Sequence, residues 1–183
     1  MSRQDDAMEL FLQAVQRRAL RIAELSLGHR DDALDAVQDA MFKLVQKYAG
    51  KPQADWTPLF YRILYSRITD CQRRRSRSSR VFGHFFLSQQ GNEDVDEDPI
   101  QIARDPAEPN PARFCSDGEF GEQLDCALAE LSERQRQAFL LRAWEGLNVR
   151  ETAIAMRCSE GSVKTHYSRA RQQLQELLRD FSG

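Results

Sequence analysis

Residues 149–171, VRETAIAMRCSEGSVKTHYSRAR, leave this chain few ways to fold. Ala153 and Met156 form the inner side of a short helix that Val149 begins, and Val163, Tyr167, Ala170, Leu174 and Leu177 then recur at steps of four and three residues. That spacing is the apolar face of one long helix. Between the two patterns Ser159 can accept from the free backbone N–H groups of the second helix, while Gly161 and Ser162 keep its first turn slim and polar. Two helices meeting at a capped turn read as a helix-turn-helix, whose slim cationic second helix suits a major groove. With Tyr167 facing inward, a turn of about 100° per residue puts Thr165, Ser168 and Arg169 outside and Lys164 on the flank. These residue types bond phosphates and base edges; Ser159 and Arg171 complete the candidate set. The competing reading is an ordinary core helix with a solvated cationic back, and the preceding helix and capped turn weigh against it.

Charge divides the rest of the chain. Residues 1–80 hold 15 Lys and Arg against 10 Asp and Glu, residues 81–120 hold 2 against 9, and residues 121–183 hold 9 against 9. The middle stretch also carries Gly91, Asn92, Pro99, Pro106, Pro109, Asn110, Pro111 and Gly118 around the cluster Glu93-Asp94-Val95-Asp96-Glu97-Asp98. Prolines, like charge and few apolar residues predict a linker without a core. The expected architecture is therefore all-α: two small helical domains, 1–80 and 121–183, joined by a long acidic linker over 81–120. Phe82, Phe85, Phe86 and Leu87 interrupt that linker, either packing back on the first domain or docking on a partner.

The first domain is helical by periodicity. Met8, Phe11, Val15, Ile22 and Leu25 mark a helix that should stop near Gly28, where a left-handed backbone is tolerated. Asp31 and Asp32 suit the next helix N-terminus, and Leu34, Val37, Met41, Leu44 and Tyr48 form its apolar stripe. Asp35, Gln38, Asp39 and Phe42 lie off that stripe, so a protein-docking face and a partly buried Phe42 under solvated charges both fit. A flexible loop, Gly50 to Asp55, should follow, with Thr57 capping and Pro58 opening a helix that turns Phe60, Ile63 or Leu64, Ile68 and Cys71 inward.

From Arg62 to Arg80 that helix carries seven arginines and one acid, Asp70, with Trp56, Tyr61 and Tyr65 near its start. Arginines meet phosphates, and aromatic rings stack on unpaired bases at about 1–3 kcal/mol each. Lys51, Trp56, Tyr61, Arg62, Tyr65, Arg73, Arg74 and Arg75 are thus candidates for holding opened DNA. Trp56 closing a core, and the arginines forming a frayed basic tail, are the alternatives.

Composition excludes several classes. No apolar run is long enough to span a bilayer, and MSRQDDAMEL is not a signal peptide, so a cytoplasmic protein is expected without membrane insertion. Cys71, Cys115, Cys126 and Cys158 form no CxxC pair, and His29, His84 and His166 complete no metal-ligand spacing. Reduced thiols, no metal and no cofactor are expected. A phosphate-cradling glycine loop and a paired nucleophile and base are both missing, so the sequence does not read as an enzyme.

AVQDAMFKLVQKY resembles the sigma-factor region-two segment that docks on RNA polymerase, and WTPLFYRILYSRITDCQRRRSR resembles the segment after it that recognises and melts the minus-ten element. LDCALAELSERQRQAFLLRAWEGLNVRETAIAMRCSEGSVKTHYSRARQQLQELL is similar to sigma region four throughout, and the order and spacing resemble the extracytoplasmic-function (ECF) sigma factors of the sigma-70 family. The resemblance implies core RNA polymerase as partner, through its beta-prime coiled coil and beta flap, with Asp35, Gln38, Asp39 and Phe42 on the coiled coil. It implies promoter DNA, with the loop from Gly50 to Trp56 capturing a flipped minus-ten base and Ser159, Lys164, Thr165, Ser168 and Arg169 reading the minus-thirty-five element. It also implies a linker in the RNA exit path, and an anti-sigma factor is common in such proteins. Leu59, Ser132, Thr152 and Arg157 depart from the family pattern, standing where tryptophan, proline, isoleucine and glycine are usual. A dimeric helix-turn-helix repressor or activator leaves the basic-aromatic helix without a task. An arginine-rich adaptor leaves the helix-turn-helix unexplained.

Overall fold

A computed structural model describes residues 3–82 and 119–179. Seven α-helices make up the described chain: α1 Arg3–Leu27, α2 Arg30–Tyr48, α3 Gln53–Phe82, α4 Glu119–Glu130, α5 Glu133–Phe139, α6 Val149–Met156 and α7 Glu160–Arg179. A π-helical turn, Leu140–Trp144, continues α5, and no strand occurs among the described residues. The acidic cluster, Phe85, Phe86 and Leu87 lie outside the described residues.

Helices α1, α2 and α3 pack pairwise on one another. Val15, Ala19, Ile22, Val37, Ala40, Leu44, Phe60, Leu64 and Ile68 are buried among them, which is the 3–4 spacing of each helix seen from inside. Gly28 ends α1 at φ 67°, as its position requires. Asp31 and Asp32 lie in the first turn of α2.

Helix α3 begins earlier than Thr57 and Pro58 suggest. It starts at Gln53, directly after Pro52, so Pro58 is an interior residue and Thr57 caps nothing. The cause lies next door: the Trp56 indole N–H donates to the Lys51 carbonyl at 3.0 Å and Asp55 N–H to the Pro52 carbonyl at 2.9 Å, winding the presumed loop into the helix. The open part of the connection shrinks to Ala49–Pro52.

The second group forms around α7, against which α4, α5 and α6 pack. Ser132 opens α5 with a reciprocal capping box: its hydroxyl accepts from Gln135 N–H, and the Gln135 side chain accepts from Ser132 N–H. Serine thus supplies by hydrogen bonding what proline at this position supplies by a fixed φ. Asn148 and Glu151 repeat the device at α6. Thr152 is fully buried, and its hydroxyl donates to the Asn148 carbonyl at 2.8 Å, so the group that an isoleucine would lack is satisfied.

The two groups do not stand apart. Helix α3 lies against α6 and α1 against α4, with ion pairs Arg21–Asp125 and Arg18–Glu145 crossing the boundary. Buried side chains from both groups form one continuous cluster.

Candidate nucleic-acid interface

The helix-turn-helix comprises α6, the turn Arg157–Ser159 and α7. Ser159 Oγ accepts from Ser162 N–H at 3.1 Å and lies 2.8 Å from Ser162 Oγ, capping α7 as its sequence suggests. Val163, Tyr167, Ala170 and Leu174 are buried, which forces Lys164, Ser168 and Arg169 into solvent. Lys164, Ser168 and Arg171 follow one another at i, i+4, i+7, and Thr165 and Arg169 run beside them, so the row covers about 11–15 Å at 1.5 Å per residue. That length lies comfortably in a groove about 12 Å wide. Thr165 is half-buried and donates to the Gly161 carbonyl at 3.1 Å; Arg171 is half-buried with its guanidinium 5.8 Å from the Tyr167 ring. Partial burial holds His166 below its usual pKa, assisted by the charges of Arg134 and Arg169, so the face owes its positive charge to lysine and arginine rather than histidine.

Asp35, Gln38, Asp39 and Phe42 share one exposed strip of α2. Phe42 is 66 % exposed and Val45, one turn further, 42 %. Asp39 alone of the strip has an ion-pair contact, a loose one to Arg67 at 3.7 Å.

The aromatic residues of α3 behave differently from the surface the sequence suggests. Trp56 is 1 % exposed, its ring 5.8 Å from that of Phe11, and is a core residue rather than a stacking platform. Its indole needs one acceptor and finds the Lys51 carbonyl. Tyr61 and Tyr65 are buried too, but for another reason: the second helical group covers them. Arg75 is not free, since its guanidinium donates to the Leu27 carbonyl at 2.8 Å and pairs with Asp32, tying α3 to the α1–α2 junction. Lys51, Arg73 and Arg74 are exposed and Arg62 is half-buried.

The covering group is Glu145, which sequence reasoning overlooks. The π-helical turn swings it out of register with α5, Glu145 N–H bonding the Leu140 carbonyl at 3.0 Å, and Gly146 then reverses the chain at φ 70°. Its side chain is 1 % exposed, with Oε1 3.5 Å from Arg18 Nε. Burial pushes the Glu145 carboxyl above its ordinary range, opposed by Arg18 and by the Tyr61 hydroxyl. Burial also raises Tyr61 and Tyr65, and the Glu145 charge adds to it. Neither tyrosine hydroxyl nor Glu145 Oε1 completes a hydrogen bond of good geometry. A lone acid between Trp144 and Gly146 carries no pattern that would have announced this. The two capping boxes, by contrast, were readable as Ser132-x-x-Gln135 and Asn148-x-x-Glu151.

The fold and the exposed face of α7 define a helix-turn-helix protein, and residues 121–174 match the family Sigma-70, region 4. The chain is 29 % identical over 169 residues to the ECF RNA polymerase sigma factor SigE of Mycolicibacterium smegmatis, an alignment covering 91 % of this chain and 59 % of that relative. Its fold is similar to that of the sigma factor RpoE, solved in complex with the anti-sigma factor NepR from Bartonella quintana. The TM-score is 0.66 at 26 % identity, over 93 % of this chain and 96 % of that one. This chain belongs to the ECF sigma factors of the sigma-70 family.

Proposed function

We propose that this protein is a non-catalytic subunit of transcription initiation, one that binds core RNA polymerase and directs it to promoters. The observation that carries the reading is the pairing, in one chain of this family, of a helix-turn-helix with a free cationic outer face and an α2 strip with a free aromatic residue. In this reading Lys164, Thr165, Ser168 and Arg169, flanked by Ser159 and Arg171, contact the minus-thirty-five element. Asp35, Gln38, Asp39 and Phe42 bind the polymerase coiled coil, while the beta flap receives the region 121–179. Lys51, Arg62, Arg73 and Arg74 hold the minus-ten strand, and Tyr61 and Tyr65 join them once the second helical group moves away. Such separation is what a large scaffold supplies: each group alone offers few phosphate contacts, and linking them raises affinity when the spacing is fixed. An anti-sigma partner fits the same reading, since the relative of similar fold was solved with one.

The experiment is transcription in vitro with purified core polymerase. Lys164→Ala with Arg169→Ala lowers promoter use and leaves stoichiometric polymerase binding intact. Phe42→Ala with Asp39→Ala abolishes polymerase binding and leaves the fold intact. A wild-type chain that fails to co-purify with polymerase, or starts transcripts no more selectively than core enzyme alone, refutes the function.

A further inference from the structure

Beside the polymerase-facing strip, a second basic feature joins the two helical groups. Arg157, the residue that closes α6, has φ 54° and ψ 49° and is the one non-glycine residue of positive φ among those described. Glycine adopts this conformation freely, whereas a Cβ crowds the following carbonyl. The exposed Arg157 side chain helps line a cleft of about 140 Å³ whose other walls include Lys43, Lys47 and Tyr48 of α2 and Ser66 and Arg67 of α3. A single water needs only about 10–15 Å³ of such space.

Four cations from three separate segments therefore meet around one cavity. Among the described residues Lys43, Lys47 and Arg157 have no ion-pair partner, and the single countercharge is Asp39, 61 % exposed and 3.7 Å from Arg67 Nε. That separation is beyond hydrogen-bonding range, and Arg67 Nε is a buried donor without an acceptor. Like charges gathered this way repel one another, and the Tyr48 and Ser66 hydroxyls add donors to the same walls. Two guanidinium forks and two ammonium groups around a small space match the several oxygens of a phosphate chain.

We propose that this cleft binds a small polyphosphate anion and that the bound anion clamps the two helical groups together. Lys43, Lys47 and Arg67 come from the α1–α3 group and Arg157 from the helix-turn-helix, so an anion touching both binds the closed arrangement and loses contacts on opening. By linkage it favours closure in proportion to that difference. The inference stands apart from the promoter reading, because it requires neither polymerase nor DNA.

The test titrates the full chain with pyrophosphate, and in parallel with a nucleoside diphosphate, at ionic strength held constant with sodium chloride. Calorimetry reads affinity and small-angle X-ray scattering reads the radius of gyration. Arg157→Gly keeps the backbone in a conformation that glycine accepts, and Lys47→Ala alters an exposed side chain, so both variants should fold. Each should weaken pyrophosphate binding about tenfold, equivalent to one charge-assisted contact, and Arg157→Gly should also abolish any compaction caused by the anion. Equal affinity for the two ligands assigns binding to the phosphates alone; tighter binding of the nucleoside diphosphate assigns it to a nucleotide. The proposal fails if pyrophosphate does not bind, if Arg157→Gly binds it as tightly as wild type, if chloride reproduces the effect, or if Arg157 proves to serve a DNA duplex while pyrophosphate is ignored.

Discussion

Trp56→Ala separates a core residue from a base-stacking one. The side chain is 1 % exposed, its ring packs on Phe11 at 5.8 Å, and its N–H holds the Lys51 carbonyl at 3.0 Å. Truncating such a residue costs about 3–5 kcal/mol, from lost burial and the cavity left behind. At about 0.05–0.15 kcal/mol per residue the α1–α3 group, Arg3–Phe82, holds only some 4–12 kcal/mol in total, so the variant would stand near the edge of folding. With a urea dependence of about 1–3 kcal/mol per molar, the midpoint of unfolding followed by far-ultraviolet circular dichroism should fall by about 1–3 M. Trp56→Phe keeps an aromatic ring beside Phe11 and loses the indole bond. It should cost about 1–2 kcal/mol, most of it the unmade hydrogen bond to Lys51. If Trp56→Ala unfolds within about 0.3 M of wild type and yet fails to open promoters, the side chain serves DNA and the packing argument is wrong.

Glu145→Gln should raise the thermal midpoint at neutral pH and lose that advantage in acid. The sign follows from the raised carboxyl: the folded protein holds this proton more tightly than the unfolded chain, so the site's stabilising contribution is full below the ordinary carboxylate pKa and is lost as pH rises through the folded value. A glutamine no better than wild type at pH 7 would show that the Arg18 pair outweighs burial. Ser132→Ala and Asn148→Ala should each lower stability by about 1 kcal/mol through loss of a capping box, read as a smaller urea midpoint with unchanged slope. Changes well under 0.5 kcal/mol would mean that tertiary packing alone fixes those helix starts.

Helix faces were legible in the sequence because burial repeats every three to four residues. Val163, Tyr167, Ala170 and Leu174 on α7, and Phe60, Leu64 and Ile68 on α3, are all inside, as their spacing requires. Gly28 and Ser159 mark their helix boundaries for equally local reasons. What local pattern does not encode is the partner of a face. The exposure of Phe42 and the burial of Tyr61 both concern aromatic residues on arginine- or acid-rich helices, and only the packing of the second group on α3 decides between them. Arg75 reads as one more cation in a basic run until the Leu27 carbonyl and Asp32 are seen beside it. Trp56 misled for a subtler reason, since its hydrogen bond to a carbonyl five residues back moves the start of α3 and turns an expected loop residue into a helical one.

The closed arrangement is uneven in a way that bears on the proposed function. It leaves the α2 strip and the outer face of α7 in solvent while covering Tyr61 and Tyr65. The covering contact is a poor one energetically: Glu145 is buried against the direction its charge prefers, and the tyrosine hydroxyls beside it lack well-formed hydrogen bonds. The Arg21–Asp125 pair, partly exposed on both sides, contributes about 0–1 kcal/mol. Apolar contact must therefore supply most of the attraction, against a charge and unpaired hydroxyls that would regain water on separation. An interface so composed opens at modest cost, and a partner that grips the exposed α2 strip and holds the 121–179 group elsewhere needs only to exceed that cost. Polymerase binding would then precede exposure of the tyrosines, so that minus-ten contacts form after the scaffold is in place rather than before.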